Sequence, residues 1–328
     1  MQLVKQIKGK QRNKSMRNII IDCDPGHDDA IAILMALAHK EELNILGITT
    51  VGGNQLLEKV TKNTLKILSL VDENIPVASG EAKALTREIH TGADAHGETG
   101  MDGPVLPEPK YAIVSDKAVQ FMYEKIMASK EKVTLVPLGP LTNIALLLRT
   151  YPEIKSSIEL ICLMGGGIHV GNRTAAAEFN IYVDPEAAKI VFNSGVDIVM
   201  AGLDVTNKAM IMEDEREQLR GKGKVSNFVS ELLDFYSQAS KRFGFEGSSL
   251  HDPCAIGYLL RPDLFKGKRY PVDIETQGEL TRGMTLADER PVTEKEPNTL
   301  VLLEVKRKEF VDFVCNCIEK LDIECNNN

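Results

Sequence analysis

Continuous apolar runs alternate along this chain with segments of helical spacing, and that order leaves few folds open. Residues 19–23 are almost wholly apolar, as a strand covered on both faces must be. Residues 28–39 then repeat apolar side chains at helical spacing. Residues 43–51 read as the next strand, 56–70 as a helix, 133–138 as a strand, 141–148 as a helix and 158–164 as a strand. Asp184 opens a further helix with Pro185 in its first turn, and 197–203 reads as a strand ending at Asp204. This βαβα order predicts an α/β fold: an open, mostly parallel central sheet flanked by helices on both faces. Residues 205–250 read as mainly helical and are expected to cap the C-terminal edge of the strands. Residues 82–110 read as a loop too long for an idle connection.

Ligands of open α/β sheets bind outside the carboxyl ends of the strands. The polar and glycine-rich segments fall there: Asn54, Leu138-Gly139, Met164 to Gly167, Asp204 and, above all, an acidic cluster. Asp22, Asp24, Asp28 and Asp29 fall within eight residues, around Pro25-Gly26-His27. Carboxylates this crowded raise one another's pKa unless a cation or strong donors hold them ionised. A set of hard oxygen ligands suits Mg²⁺ or Ca²⁺ better than zinc. The plainer alternative is that Asp28 and Asp29 favour the positive end of a helix dipole and Pro25-Gly26 is an ordinary turn. Aspartates on both sides of that turn can converge on one point, which favours the metal.

Three further segments carry chemistry. Asn172 and Glu178-Phe179-Asn180 combine hydrogen-bonding groups with a ring that can pack on the carbon face of a polyhydroxylated ligand; a surface loop is the alternative. In His251-Asp252-Pro253, Asp252 and Pro253 suit the N-cap and first helical position. Equally, His251 suits a general acid and Asp252 a metal ligand. His96, in His96-Gly97-Glu98-Thr99-Gly100, sits on a segment suited to closing over a ligand, or is a solvated loop histidine. Gly165-Gly166-Gly167 is a weak phosphate signal without a P-loop lysine.

A net charge of −8 argues against a nucleic-acid binder, and no run of eighteen apolar residues suggests a membrane span. The six cysteines lack zinc spacing and fit free thiols in a reducing cytoplasm. Residues 1–15 read as a disordered basic extension, 16–322 as one domain and 323–328 as a polar tail.

Taken together, Asp22-Cys23-Asp24-Pro25-Gly26-His27-Asp28-Asp29-Ala30, Gly53-Asn54-Gln55, Val136 to Asn143, Leu163 to Gly166, Glu178 to Asn180 and His251-Asp252 closely resemble the inosine–uridine-preferring nucleoside hydrolases, over roughly residues 17–322. The His96 to Gly100 loop and the Asn180 to Ala188 run look most like the bacterial pyrimidine-preferring members. The resemblance implies the nucleoside hydrolase fold and hydrolysis of the N-glycosidic bond of a ribonucleoside, uridine or cytidine preferred, with bound Ca²⁺. Asp24, Asp29, Asp252 and the Leu138 carbonyl would hold the calcium, with Asp24 also the base for the attacking water. Asp28, Asn54, Met164, Asn172, Glu178 and Asn180 would hold the ribose, beside Phe179. His251 would assist departure of the base and His96 would close over it. Homotetramers or homodimers would be the expected assembly. Some pyrimidine-preferring members carry Tyr and Gln on the helix before His251, where this chain is read as having Phe243 and Ala239. A purine, broad-range or modified-nucleoside specificity is therefore an alternative, as is a non-catalytic nucleoside-binding protein. A dehalogenase-like phosphatase is disfavoured, because Pro25-Gly26-His27 does not fit its motif.

Overall fold

The computed structural model describes residues 16–242 and 244–327. Its centre is an eight-stranded sheet built from β1 (Arg17–Cys23), β2 (Leu43–Thr50), β3 (Val77–Ser79), β4 (Val133–Pro137), β5 (Ile158–Met164) and β6 (Ile198–Ala201) with two later strands. Between β6 and those lie two two-residue strands, β7 (Met210–Ile211) and β8 (Ser248–Ser249), which pair with each other. Then come β9 (Phe265–Tyr270), β10 (Val272–Ile274), β11 (Thr285–Ala287) and β12 (Thr299–Val305). The sheet order is β3-β2-β1-β4-β5-β6-β12-β9, parallel except for the edge strand β9. The parallel α/β expectation holds, but β9 and β12 were not foreseen. Their pairing joins segments distant in sequence, and four successive residues of β9 are exposed, so its pattern carries little core signal.

Strand alternation divides the core. Ile19, Ile21 and Cys23 join one apolar cluster, with helices His27–Leu37, His251–Leu260 and Arg307–Asn327. Ile20 points to the other, with helices Thr142–Thr150 and Pro185–Phe192. A side-chain period of two produces this split. Connections leave β1 toward β2 on one side, while β4 pairs on its other side. The crevice at that reversal is where a doubly wound sheet takes a ligand.

Several boundaries shift. The strand expected over 197–203 ends at Ala201, and Asp204 lies in the short helix Leu203–Thr206. The helix expected to open with Asp252 as cap already includes His251, so Asp252 belongs to its first turn. The 82–110 loop contains one short helix, Ala93–His96. Residues 323–327 continue the terminal helix, and the basic stretch 1–15 lies outside the described residues. The region 205–250 supplies the helices Glu213–Glu217 and Lys224–Arg242. Among the described residues no helix is long and apolar enough to cross a membrane. All six cysteines are unpaired.

Candidate active site

β1 delivers Asp22 and Asp24 to the crevice, and the turn after it starts the helix that carries Asp28 and Asp29. The Asp29 carboxylate folds back onto that turn. It accepts from the backbone N–H of Asp24 (3.2 Å) and of Gly26 (3.0 Å), and from Asn54 Nδ2 (3.1 Å). Asp24 Oδ2 accepts the Asn54 N–H at 2.6 Å, whereas its Oδ1 is buried without a partner. Asp22 serves the scaffold, accepting from Thr49 Oγ1 (2.5 Å) and Asn143 Nδ2 (2.8 Å).

Asp28, Asp29 and Asp252 bring carboxylate oxygens within 4.8 Å of one another, all three buried. Burial first, then mutual repulsion, pushes the Asp28 carboxyl up to about 8 and the Asp24 and Asp252 carboxyls well above their usual range. Burial does the same to Asp22, to about 7, against its two hydrogen bonds. Asp29 and Asp252 face each other in this trio, where two ionised carboxylates repel. Clustered hard oxygens with an unpartnered Asp24 Oδ1 fit a hard divalent cation, which would relieve that repulsion.

Two glycines make room for this arrangement. A Cβ on Gly53 would collide with Asp24 Oδ2, and one on Gly139 with Asp24 Oδ1. Gly139 has no left-handed backbone to strain an alanine, so Gly139→Ala tests the collision, which falls on Asp24 first (2.4 Å) and on Val51 Cγ1 second (3.0 Å). We expect a fall in kcat of about 100-fold or more from displacement of Asp24, with the protein still folded by circular dichroism. Activity near that of the parent would refute the close fit.

Asp28, Asn54, His96, Leu138, Met164, Asn172, Glu178, Phe179, Asn180, His251 and Asp252 all line one cavity of about 330 Å³. Asp24 and Asp29 are fully buried and are not among its walls. The segment 178–180 is no surface loop. Glu178 caps the helix Phe179–Val183, accepting from the N–H groups of Gly166 (2.8 Å), Asn180 (2.9 Å) and Ile181 (3.1 Å). The triple glycine thus receives a carboxylate of this chain. Asn180 Nδ2 donates to the Leu138 carbonyl (2.7 Å) and the Met164 carbonyl (3.2 Å), tying β4 and β5 ends together. Asn172 Oδ1 accepts the Phe179 N–H at 2.9 Å. His251 Nδ1 lies 2.8 Å from Thr206 Oγ1, and burial lowers its pKa to about 4.

Sequence reading missed part of the far wall: Tyr236, Ser240, Phe245, Ser249 and Asn207. A signal existed, since Val229, Leu232, Leu233, Tyr236 and Ser240 share the buried face of the helix Lys224–Arg242 at helical spacing. Ala239 does line the cavity, while Phe243 lies outside the described residues.

Known proteins resemble this chain in sequence and fold. The profile of the family described as inosine-uridine preferring nucleoside hydrolase matches residues 19–312. The pyrimidine-specific ribonucleoside hydrolase RihA of Shewanella sp. (strain MR-7) is 52% identical over 306 residues, 92% of this chain and 96% of that protein. RihA of Escherichia coli (strain K12 / MC4100 / BW2952) is 50% identical over 302 residues, covering 91% and 97%. The solved purine-preferring ribonucleoside hydrolase from Gardnerella vaginalis superposes with a TM-score of 0.87 at 32% identity, over 93% of this chain and 99% of that one. The chain belongs to the inosine–uridine-preferring nucleoside hydrolase family and is a ribonucleoside hydrolase.

Proposed function

We propose that this enzyme is a calcium-dependent hydrolase of pyrimidine ribonucleosides, releasing ribose and free base. The observation that carries the mechanism is the unpartnered, buried Asp24 Oδ1 beside the Asp28, Asp29 and Asp252 cluster. Asp24, Asp29, Asp252 and the Leu138 carbonyl would hold the ion. Calcium, when bound, neutralises the carboxylates, holds ribose hydroxyls and water in place, and makes that water more acidic.

The remaining chemistry belongs to the side chains. Asp24 takes the proton of the attacking water. Asp28, Asn54, Asn172, Glu178 and Asn180 hold the ribose, with Met164 and Phe179 against its carbon face. Their carboxylates favour the oxocarbenium character that develops as the glycosidic bond breaks. His251 is neutral near pH 7 in the cavity, so it assists as a neutral donor. With the Thr206 hydroxyl, 2.8 Å from Nδ1, as donor to that nitrogen, Nε2 would carry the proton that meets the departing base. His96 closes the base end.

Support for the pyrimidine preference is the half-identical RihA relatives. The small Ala239 and Ser240 beside Tyr236 favour the second reading, a broader base range, because they leave room at that wall. Ribose release from uridine, cytidine, inosine and adenosine decides between them. We expect the two pyrimidine nucleosides to react at least about tenfold faster in kcat/KM, a difference of about 1.4 kcal/mol. A faster purine would overturn the base preference and keep the reaction. In the same proposal the enzyme works in the cytoplasm as a homo-oligomer, a tetramer or dimer.

A further inference from the structure

A buried imidazole that no step above uses stands against His96. His27 is 0% exposed, so it does not touch a substrate. Its ring stacks on His96 (centroids 5.2 Å apart), on Phe235 (5.3 Å, 3° between planes) and on Tyr236 (5.3 Å, 11°). A buried aromatic hydrocarbon would serve that stack equally well. The two ring nitrogens distinguish histidine, and both address the loop that carries His96. Nε2 lies 3.0 Å from the Asp102 carbonyl, which only accepts, so Nε2 carries a proton in either charge state of the ring. On the neutral ring Nδ1 is therefore an acceptor, and His96 Nδ1, 3.0 Å away, is its donor.

Asp102 is in turn the knot of that loop. Its carboxylate accepts from the N–H groups of Glu98 (2.9 Å) and Thr99 (3.1 Å) and from the Thr99 hydroxyl. His96 rests directly on the acidic turn, since a Cβ on Gly26 would meet its Nδ1 at 2.5 Å. His27 therefore joins two things that must keep register: the turn bearing Asp28 and Asp29, and the loop that lowers His96 onto the base end of the cavity.

We propose that His27 is a positioning residue that holds His96 and its 97–102 loop closed over the departing base. The role rests on the function proposed above and adds to it the means by which the closing histidine is held. It requires that His27 act through His96 and on leaving-group departure, rather than on ribose or metal binding.

The test compares uridine, a poor leaving group, with p-nitrophenyl β-D-ribofuranoside, whose phenolate departs with little assistance. His27→Leu keeps bulk and removes both ring nitrogens, while His27→Gln restores a donor toward the Asp102 carbonyl. We expect His27→Leu to lower kcat on uridine by about 10- to 100-fold, the scale of a displaced catalytic group. KM for uridine, turnover of the nitrophenyl riboside and the calcium Kd should each stay within about threefold. His27→Gln should regain part of the loss, and His27→Leu should cost nothing more in a His96→Ala background. Equal losses on both substrates, losses that add to those of His96→Ala, or weakened calcium binding would overturn the role. If His27→Leu does not fold, the comparison of Gln with Asn decides: Gln reaches the Asp102 carbonyl and Asn does not, so equal rates refute the role. A parent enzyme that releases no ribose from uridine would overturn the functional reading itself, whereas an active parent with additive losses would overturn only His27.

Discussion

Asp24→Asn should lower kcat for uridine by about 10³-fold or more, while the metal-free protein should melt no lower than the parent. Both halves follow from one pair of atoms. Asp24 Oδ2 is held by the Asn54 N–H, and an asparagine oxygen accepts that bond unchanged. The NH₂ group then occupies the place of the unpartnered Oδ1, where it has no lone pair to take a proton. Loss of a positioned base costs about 10²- to 10⁴-fold, and loss of an anionic ligand weakens the metal as well. Stability moves the other way because burial and repulsion from Asp29 oppose ionisation of Asp24. A neutral amide has no ionisation for the fold to suppress. A variant that retains a tenth of the parent's turnover would sink the assignment of Asp24 as base, and a collapsed melting temperature would show that the carboxylate serves the fold instead.

The second large effect is the exchange of protons for calcium. In metal-free protein, Asp28 is pushed up to about 8 and Asp22 to about 7, mainly by burial. Asp24, Asp29 and Asp252 are pushed in the same direction. Unfolded aspartate titrates near 3.9, so between about pH 4 and pH 8 these carboxyls bind more protons in the folded chain than in the unfolded one. Stability from these groups is therefore greatest at the acid end of that window and is lost as pH rises through it. Calcium requires the ionised carboxylates, so its stabilisation grows with pH. At about 1,000 times its Kd a ligand adds about 4 kcal/mol, enough to raise Tm by several degrees. Thermal melts of chelated protein from about pH 6 to pH 8.5 should fall with pH, and added calcium should reverse the trend while restoring turnover. Chelated protein that grows more stable toward pH 8.5, or that keeps full turnover, would refute a cation in this cluster.

The parts of the molecule legible in the sequence are those that local rules govern. Residues 19–23 could be read as β1 because an unbroken apolar run suits only a doubly covered strand. Asp28 and Asp29 could be placed at a helix start by the Pro25-Gly26 turn and the helical spacing after it. The crevice followed from strand order, and Asn54, Leu138, Met164 and Glu178 all reach it. A resemblance in several ordered motifs supplied the rest of the candidate set.

Tertiary structure decided what depends on contacts between distant segments. Periodicity says nothing about which strand pairs with which, so β12 beside β6 and the antiparallel edge β9 emerged only on folding. Asp252 reads in sequence as a helix cap, and only the approach of its helix to that of Asp28 makes it a member of the acidic trio. Glu178 gains its place from Gly166, in the turn after β5, and Tyr236 reaches the cavity from the helix Lys224–Arg242. His27 looks in sequence like a spacer between aspartates, yet its two nitrogens meet a carbonyl and a ring from the far loop. The sequence by itself determined the sheet's parallel core and the acidic turn, because backbone sterics, side-chain period and capping act over a few residues. The fold decided which carboxylates meet, which of their oxygens stay unpartnered and how His96 is held, because burial and hydrogen bonding belong to the assembled surroundings rather than to any one segment.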